Sequence, residues 1–285
     1  MVSTFALRRC AAVKAFGALA CLSLCASASA QTRLRAHYTI SMTGVPFGQI
    51  TWLATIGDQR YSTSAIGNAS GVLSVLVNGE GAVDVRGVVT HDGHLTPRAF
   101  TSKVVDDEGS ADLRMTFEEG IVKELISTVP PPPPAPNRLP VSDADRRGVV
   151  DPLSAMLLPA GEDVMAPASC DRLLPIFDGR RRYDLALSYK RIDKLAIDHS
   201  YSGAVLVCGV VLHPIAGYRT DSMLAKYVAG RRDMELWFAP VSGAPNGVPV
   251  LAPIRILVPT VIGTLGIEAD QFDAVPTPAP AALPR

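Results

Sequence analysis

The segment His91-Asp92-Gly93-His94 gathers two imidazoles and a carboxylate within four residues, the donor types that hold a transition metal. Asp-Gly between two β runs is also the signal of a two-residue hairpin turn. In that geometry the flanking histidines face each other across the strands, close enough to share an ion. Two imidazoles alone do not close a structural zinc site, and the turn itself occupies Asp92. The segment therefore reads as a hairpin tip, and no metal is expected.

A second Asp-Gly, at Asp178-Gly179, leads into Arg180-Arg181-Arg182, and the cations recur as Arg146-Arg147 and Arg231-Arg232. Guanidinium groups recognise phosphate and carboxylate through paired N–H donors. If these groups converge they make a site for a phosphate, a lipid headgroup or a partner's carboxylate; if they scatter they are solvated surface. Ser154 lacks a Gly-x-Ser-x-Gly elbow, and the chain has no Gly-rich phosphate loop and no His-Glu-x-x-His. A hydrolase would have to assemble its site from dispersed residues such as Asp178, His213 and Arg147. The balance is against an enzyme. No catalytic residue and no cofactor is assigned, and the ligand-binding residues stay open.

The first thirty residues bear on where such chemistry would operate. Arg8, Arg9 and Lys14 precede an apolar run from Ala15 to Leu24, and Ala28-Ser29-Ala30 offers a small-residue cleavage site before Gln31. That is the pattern of a secretory signal peptide, with an apolar run too short to span a bilayer. Removing 1–30 from 285 residues leaves 255, and 24 Lys+Arg then face 27 Asp+Glu, a net of −3. A balance of that kind excludes nucleic acid as the expected partner. No later run is long enough for a membrane helix, so a periplasmic or secreted protein is expected, not an integral membrane one. Of five cysteines, Cys10, Cys21 and Cys25 leave with the leader. Cys170 and Cys208 remain, and in an oxidising compartment they are expected to form a disulfide.

The elements that must carry these residues are mostly strands. Short runs with Gly and Asp punctuation recur about every dozen residues: His37–Met42, Gln49–Ile56, Tyr61–Ile66, Ala82–Val89, Ala99–Val105, Ala111–Phe117 and Ile121–Ser127. Gly44–Gly48 reads as the first turn. Val129–Pro140, with Pro130 through Pro134, Pro136 and Pro140, is a stiff polyproline connector between two halves. Strands resume at Leu173–Phe177, Arg182–Ile192, Ala204–Leu212, Met234–Phe238, Val250–Val258 and Val261–Ile267, with an Asn246-Gly247 turn. Two short helices are expected, at Ser70–Val77 and from Asp151-Pro152 to Leu158, where aspartate suits the cap and proline the first turn. Residues 273–285, rich in Pro and Ala, read as a disordered tail.

Tyr183, Leu185, Leu187 and Tyr189 alternate with polar or small residues and give their strand one dry face. Ala204 to Leu212 is apolar on both faces and needs cover on each side. The expectation is one mainly β domain over 31–272, an antiparallel open or partly closed barrel or sandwich. It would bind a lipid or other apolar small molecule or serve envelope assembly. The rival is a module docking on another envelope protein without a cavity.

A resemblance bears on this reading. Arg147–Ala155, Leu174–Arg182, Val207-Cys208 and Arg232–Trp237, with Gly44–Gly48, Asp92-Gly93 and Pro97, resemble a domain-of-unknown-function family, the one numbered 3108, found in exported proteobacterial proteins. The resemblance spans roughly Arg35 to Phe272. It implies an exported, mainly β protein and carries no activity. The family's turn glycine and proline correspond to Gly93 and Pro97, and His91 and His94 are not part of its pattern.

N-terminal sequencing of exported material should find the chain beginning at or near Gln31. An intact Met1, or a lipidated Cys21, would refute the leader.

Overall fold

The computed structural model describes residues 30–69, 79–107, 109–241 and 248–278. Its strands are β1 (Ala30–Met42), β2 (Val45–Ile56), β3 (Arg60–Ala69), β4 (Glu80–Val89), β5 (Leu95–Asp106), β6 (Gly109–Glu118) and β7 (Ile121–Ser127), followed by β8 (Leu158–Pro159), β9 (Arg172–Phe177), β10 (Arg182–Ala196), β11 (Ser202–Ala216), β12 (Met234–Val241), β13 (Val250–Thr260) and β14 (Gly263–Pro278). All belong to one antiparallel sheet in the order β7-β6-β5-β4-β3-β2-β1-β14-β13-β12-β11-β10-β9, with β8 attached to β13. The mainly β expectation holds in its open form; among the described residues there is one sheet, not the two of a sandwich. The expected Ser70–Val77 helix, the Asn246-Gly247 turn and the leader before Ala30 lie outside the described residues.

The edge strands β7 and β9 do not pair with each other. Residues 147–150 run along the seam between them instead. Val149 donates its N–H to Gly120 O at 3.0 Å, Val150 donates to Pro175 O at 2.9 Å, and Phe177 N–H returns to Val150 O at 3.0 Å. Backbone groups that two sheet edges would leave unpaired are thus partly satisfied by one strap.

Alternation along the strands builds the interior. Leu34, Ala36 and Tyr38 of β1, Trp52, Ala54 and Ile56 of β2, Phe100 of β5 and Met115 and Phe117 of β6 are buried together with Val205, Val207 and Trp237. The intervening residues of β11 form a second cluster on the opposite face. Leu206, Cys208 and Val210 pack there with Leu236, Phe238, Leu251 and the covering residues Leu158, Ala160 and Cys170. The two-sided apolar run is therefore covered twice. Of the alternating β10 set, Leu185 and Leu187 join this outer cluster, while Tyr189 is exposed.

Several local expectations are corrected. The helix expected from Asp151 to Leu158 is a single 3-10 turn over Ser154–Met156. The residue flanking the turn is Leu153 and not Asp151, although Asp151 Oδ1 does accept from Leu153 and Ser154 N–H, each at 2.9 Å. The turn cannot continue, because Leu157 enters the interior cluster and Leu158 the outer one, and consecutive side chains reach opposite faces only from extended backbone. The first hairpin turns at Thr43-Gly44, with φ of 52° and 82°, and Val45 already belongs to β2. Val261-Ile262 is a turn and not the start of a strand. Residues 273–278, assigned to the tail by composition, continue β14 against β1, with Asp273 opposite Arg35 and Pro278 opposite Ala30. Pairing with β13 ends at Glu268, so Pro276 and Pro278 fall where β14 has one neighbour and a missing N–H is tolerated. A helix α1 (Met223–Gly230), not anticipated, is capped by Ser222 Oγ accepting from Ala225 N–H at 3.2 Å.

Cys170 and Cys208 are bonded, with Cα atoms 5.6 Å apart and a separation of 38 residues. The bond ties the covering segment to β11. Chain-entropy arguments assign such a closure ~3–4 kcal/mol. Reduction should lower the melting temperature while leaving the β circular-dichroism signal in place. Thiol titration of denatured, unreduced mature protein should find none; two titratable thiols would refute the bridge.

Candidate functional site

The sheet leaves a cavity of about 500 Å³ at the seam, between the end of β7 and the β9–β10 turn. Leu125, Ser127, Val129 and Phe177 form its inner wall, and Pro131, Pro132, Pro134 and Pro140 its outer wall. The proline connector is thus a docked wall of the site. Its end is held by Leu139 N–H donating to Tyr218 O at 3.0 Å and Gly217 N–H donating to Leu139 O at 2.8 Å. Asn137 Nδ2 donates to Asp221 Oδ2 at 2.6 Å on the same boundary.

Three arginines line this mainly apolar space: Arg138, Arg146 and Arg180. Arg138 donates through Nη1 to Gly217 O at 3.2 Å, while its Nε is buried without a partner, as is Nε of Arg146. Among the described residues no salt bridge reaches any of the three; the acids nearby are engaged elsewhere. Asp145 accepts from Ser142 Oγ at 2.6 Å and from Ser142 N–H at 2.8 Å, bonds that hold its carboxyl below the ordinary range. Asp178 Oδ1 accepts from Arg180 and Arg181 N–H at 2.8 and 2.6 Å. Buried N–H donors with no acceptor are uncommon in folded proteins. Both side chains also line a volume of the size typical of small-ligand sites.

The cation clusters thus converge only in part. Arg146 and Arg180 reach the cavity. Arg181 lies over the Tyr218 ring at 5.5 Å, and Arg182 pairs with Asp184. Arg147 is exposed on the strap. Arg231 pairs with Asp233 and stacks on Tyr227, and Arg232 donates to Ala229 O at the end of α1. Arg138 was not singled out by any spacing; the one signal is a lone cation inside an otherwise apolar proline run.

The other candidates do not assemble a catalytic centre. Asp178 serves its turn, His213 is exposed on β11 opposite Asp184, and neither bonds to Arg147. The loop at this tip is three residues long, His91–Gly93, since Thr90 N–H donates to His94 O and Gly93 N–H to Thr90 O, both at 2.9 Å. His94 therefore sits opposite Thr90 and not opposite His91. Gly93 has φ 79°, and a Cβ there would lie 2.4 Å from Val248, which explains the glycine. No group of metal-ligating residues is found among the described residues.

Asp92, His94 and Ser154 do line a second cleft, of about 390 Å³. Ser154 is buried, however, and its Oγ is hydrogen-bonded to Tyr61 OH at 2.6 Å, with no contact to the imidazole that nucleophilic catalysis needs. Behind it Asp151 is wholly buried, with Oδ2 unpartnered. Burial raises its carboxyl above the ordinary value, against the opposing hydrogen bonds from Ser154 and Leu153. Burial and the nearby Asp151 likewise push the Tyr61 phenol far up.

Fold and cavity define a class, an open antiparallel β-barrel-like protein with an apolar, arginine-bearing seam. The model of a family of proteins of unknown function, DUF3108, matches residues 37–270, and the chain belongs to that family. A solved structure, a β-barrel-like protein of the domain of unknown function DUF1849 from Brucella abortus, is similar at 11% identity and a TM-score of 0.45, over 87% of this chain and 98% of that one. No curated protein matches the sequence.

Because the folded carboxyl of Asp151 holds its proton more tightly than the unfolded one, stability should fall as pH rises from about 3.9 through the raised value. Asp151→Asn has no such ionisation. Its melting temperature should gain on that of the unsubstituted protein across the window and then run parallel. Profiles parallel at every pH would show that Asp151 titrates normally.

Proposed function

We propose that this protein is exported and binds an amphipathic anion, an acyl chain with an acidic head, in the seam cavity. The observation that carries the reading is a mainly apolar cavity, with proline, leucine, valine and phenylalanine in its wall, whose lining also holds Arg138, Arg146 and Arg180, none of them in a salt bridge among the described residues. An apolar ligand without charge would leave those cations unpaired, and a free inorganic anion would leave the apolar walls wet. A ligand with both parts satisfies each. The Cys170–Cys208 disulfide is compatible with an oxidising compartment, and among the described residues no helix is long and apolar enough to cross a membrane.

The reading also separates this protein from a docking module without a cavity. A module without a cavity would need no concave space, whereas here Arg180 and the proline run, though exposed, border one of about 500 Å³.

Native mass spectrometry of protein purified from its host should show a retained ligand, and titration with a long-chain fatty acid should show binding. Arg146→Ala should weaken that binding about tenfold, the loss expected for a charge-assisted hydrogen bond. Arg232→Ala, remote from the seam, should leave it unchanged. Equal affinities for the two variants would remove the cavity from the function.

A further inference from the structure

Pairing sends five features to one end of the sheet: the β1–β2 and β13–β14 hairpin tips, the β5–β6 turn, the end of β7 and the β9–β10 turn. The last two flank the cavity, so the seam opens on the rim that the hairpin tips define.

The β13–β14 tip is chemically odd. Thr260 pairs with Gly263, leaving a two-residue loop, Val261-Ile262. Neither residue has a positive φ, that conformation falling to Gly263 at 130°, so the backbone sets no bar to polar side chains at this tip. Burial gives no reason for apolar ones either, for Val261 is 77% and Ile262 76% exposed. The adjacent tip, Thr43-Gly44, has the favoured positive φ values. Thr43 N–H donates to Thr264 O at 2.8 Å, which fixes the two tips side by side. The second tip adds Val45, 48% exposed, and the exposed Pro46.

We propose that this rim rests on a lipid bilayer, with Val261, Ile262 and Val45 inserted at the boundary between headgroups and acyl chains and the mouth of the seam cavity facing the headgroups. The proposal rests on the cavity reading, since an acidic amphiphile must leave and enter a membrane. The extent of the apolar surface favours a bilayer over a protein partner. It amounts to Val45, Val261 and Ile262 on two adjoining tips, far fewer side chains than the core of a stable protein interface buries. Interfacial insertion asks only for protruding apolar side chains, helped by cations such as the exposed Arg180. Anionic headgroups would attract that cation, and neutral ones would not.

The test is flotation of the full mature protein with vesicles of phosphatidylcholine containing about a quarter phosphatidylglycerol. The unsubstituted protein should float. The double variant Val261→Ser, Ile262→Asn puts polar turn residues at positions whose φ is not positive, so it should fold as well and lose flotation by about tenfold or more. Val45→Asp, on the neighbouring tip, should also weaken flotation and guards against a local folding effect. Ile192→Asn, on β10 away from this rim, should float normally. Fatty-acid binding in solution by the double variant should be unchanged, which separates the rim from the cavity. Failure of the unsubstituted protein to float, or full flotation by both tip variants, would overturn the proposal. So would a dimer in solution that the double variant abolishes, because a second copy would then cover the rim. Flotation without any fatty-acid binding would instead refute the cavity reading and leave the rim standing.

Discussion

A strand that is apolar on both faces has to be covered twice, and β11 is such a strand at the middle of its length. One face, through Val205 and Val207, completes the interior. The other, through Leu206, Cys208 and Val210, would lie open to water without the segment that carries Leu158, Ala160 and Cys170. A segment with two 3-10 turns, Ser154–Met156 and Pro167–Ser169, and a two-residue strand has few backbone bonds of its own with which to stay in place. The disulfide from Cys170 to Cys208 holds it there. The 3-10 turn, the strap at 147–150 and the buried Asp151 are all continuous in sequence with that cover, so the way the seam is bridged depends on it.

The seam itself follows from topology. A sheet with β1 and β14 at its centre has its free edges at β7 and β9, and the chain must travel from one to the other. The connection passes first through the proline run and then through the strap. Proline suits the first stretch because it presents no N–H to be satisfied away from a sheet. The strap suits the second because Val149 and Val150 offer backbone donors that both edges can use. The cavity is the space left where the proline wall stands off from the sheet, and the arginines lie on its margin without acidic partners among the described residues.

The buried polar groups divide in a similar way. Trp52 Nε1 donates to Thr63 Oγ1 at 2.6 Å and Tyr38 OH to Pro253 O at 2.7 Å, so polar atoms in the body of the interior are satisfied. Nε of Arg138 and of Arg146 and Oδ2 of Asp151 lack hydrogen-bond partners on the connection between the two halves, and Nε of Arg172 lacks one on β9, while Nε of Arg255 on β13 is met only by its ion pair with Glu268.

Strand alternation, glycine and aspartate turns and the two-sided run at Ala204–Leu212 were legible from the residues, because each is set by local geometry with a period of two. The Cys170–Cys208 bond was legible because two cysteines in an oxidising compartment have one pairing. Helix signals at Asp151-Pro152 misled, since the capping chemistry was present but Leu157 and Leu158 had opposite places to fill. Composition likewise misplaced residues 273–278, whose hydrogen bonds are supplied by β1 from the other end of the chain. The cavity was legible only as a possible convergence that included Arg146 and Arg180. Arg138 and Arg146 lie eight residues apart and Arg180 in a different hairpin, and only the meeting of β7, the proline run and the β9–β10 turn sets them around one space. Periodicity settles which way a side chain faces; which distant segments share a face depends on long-range pairing, and that belongs to the tertiary structure alone.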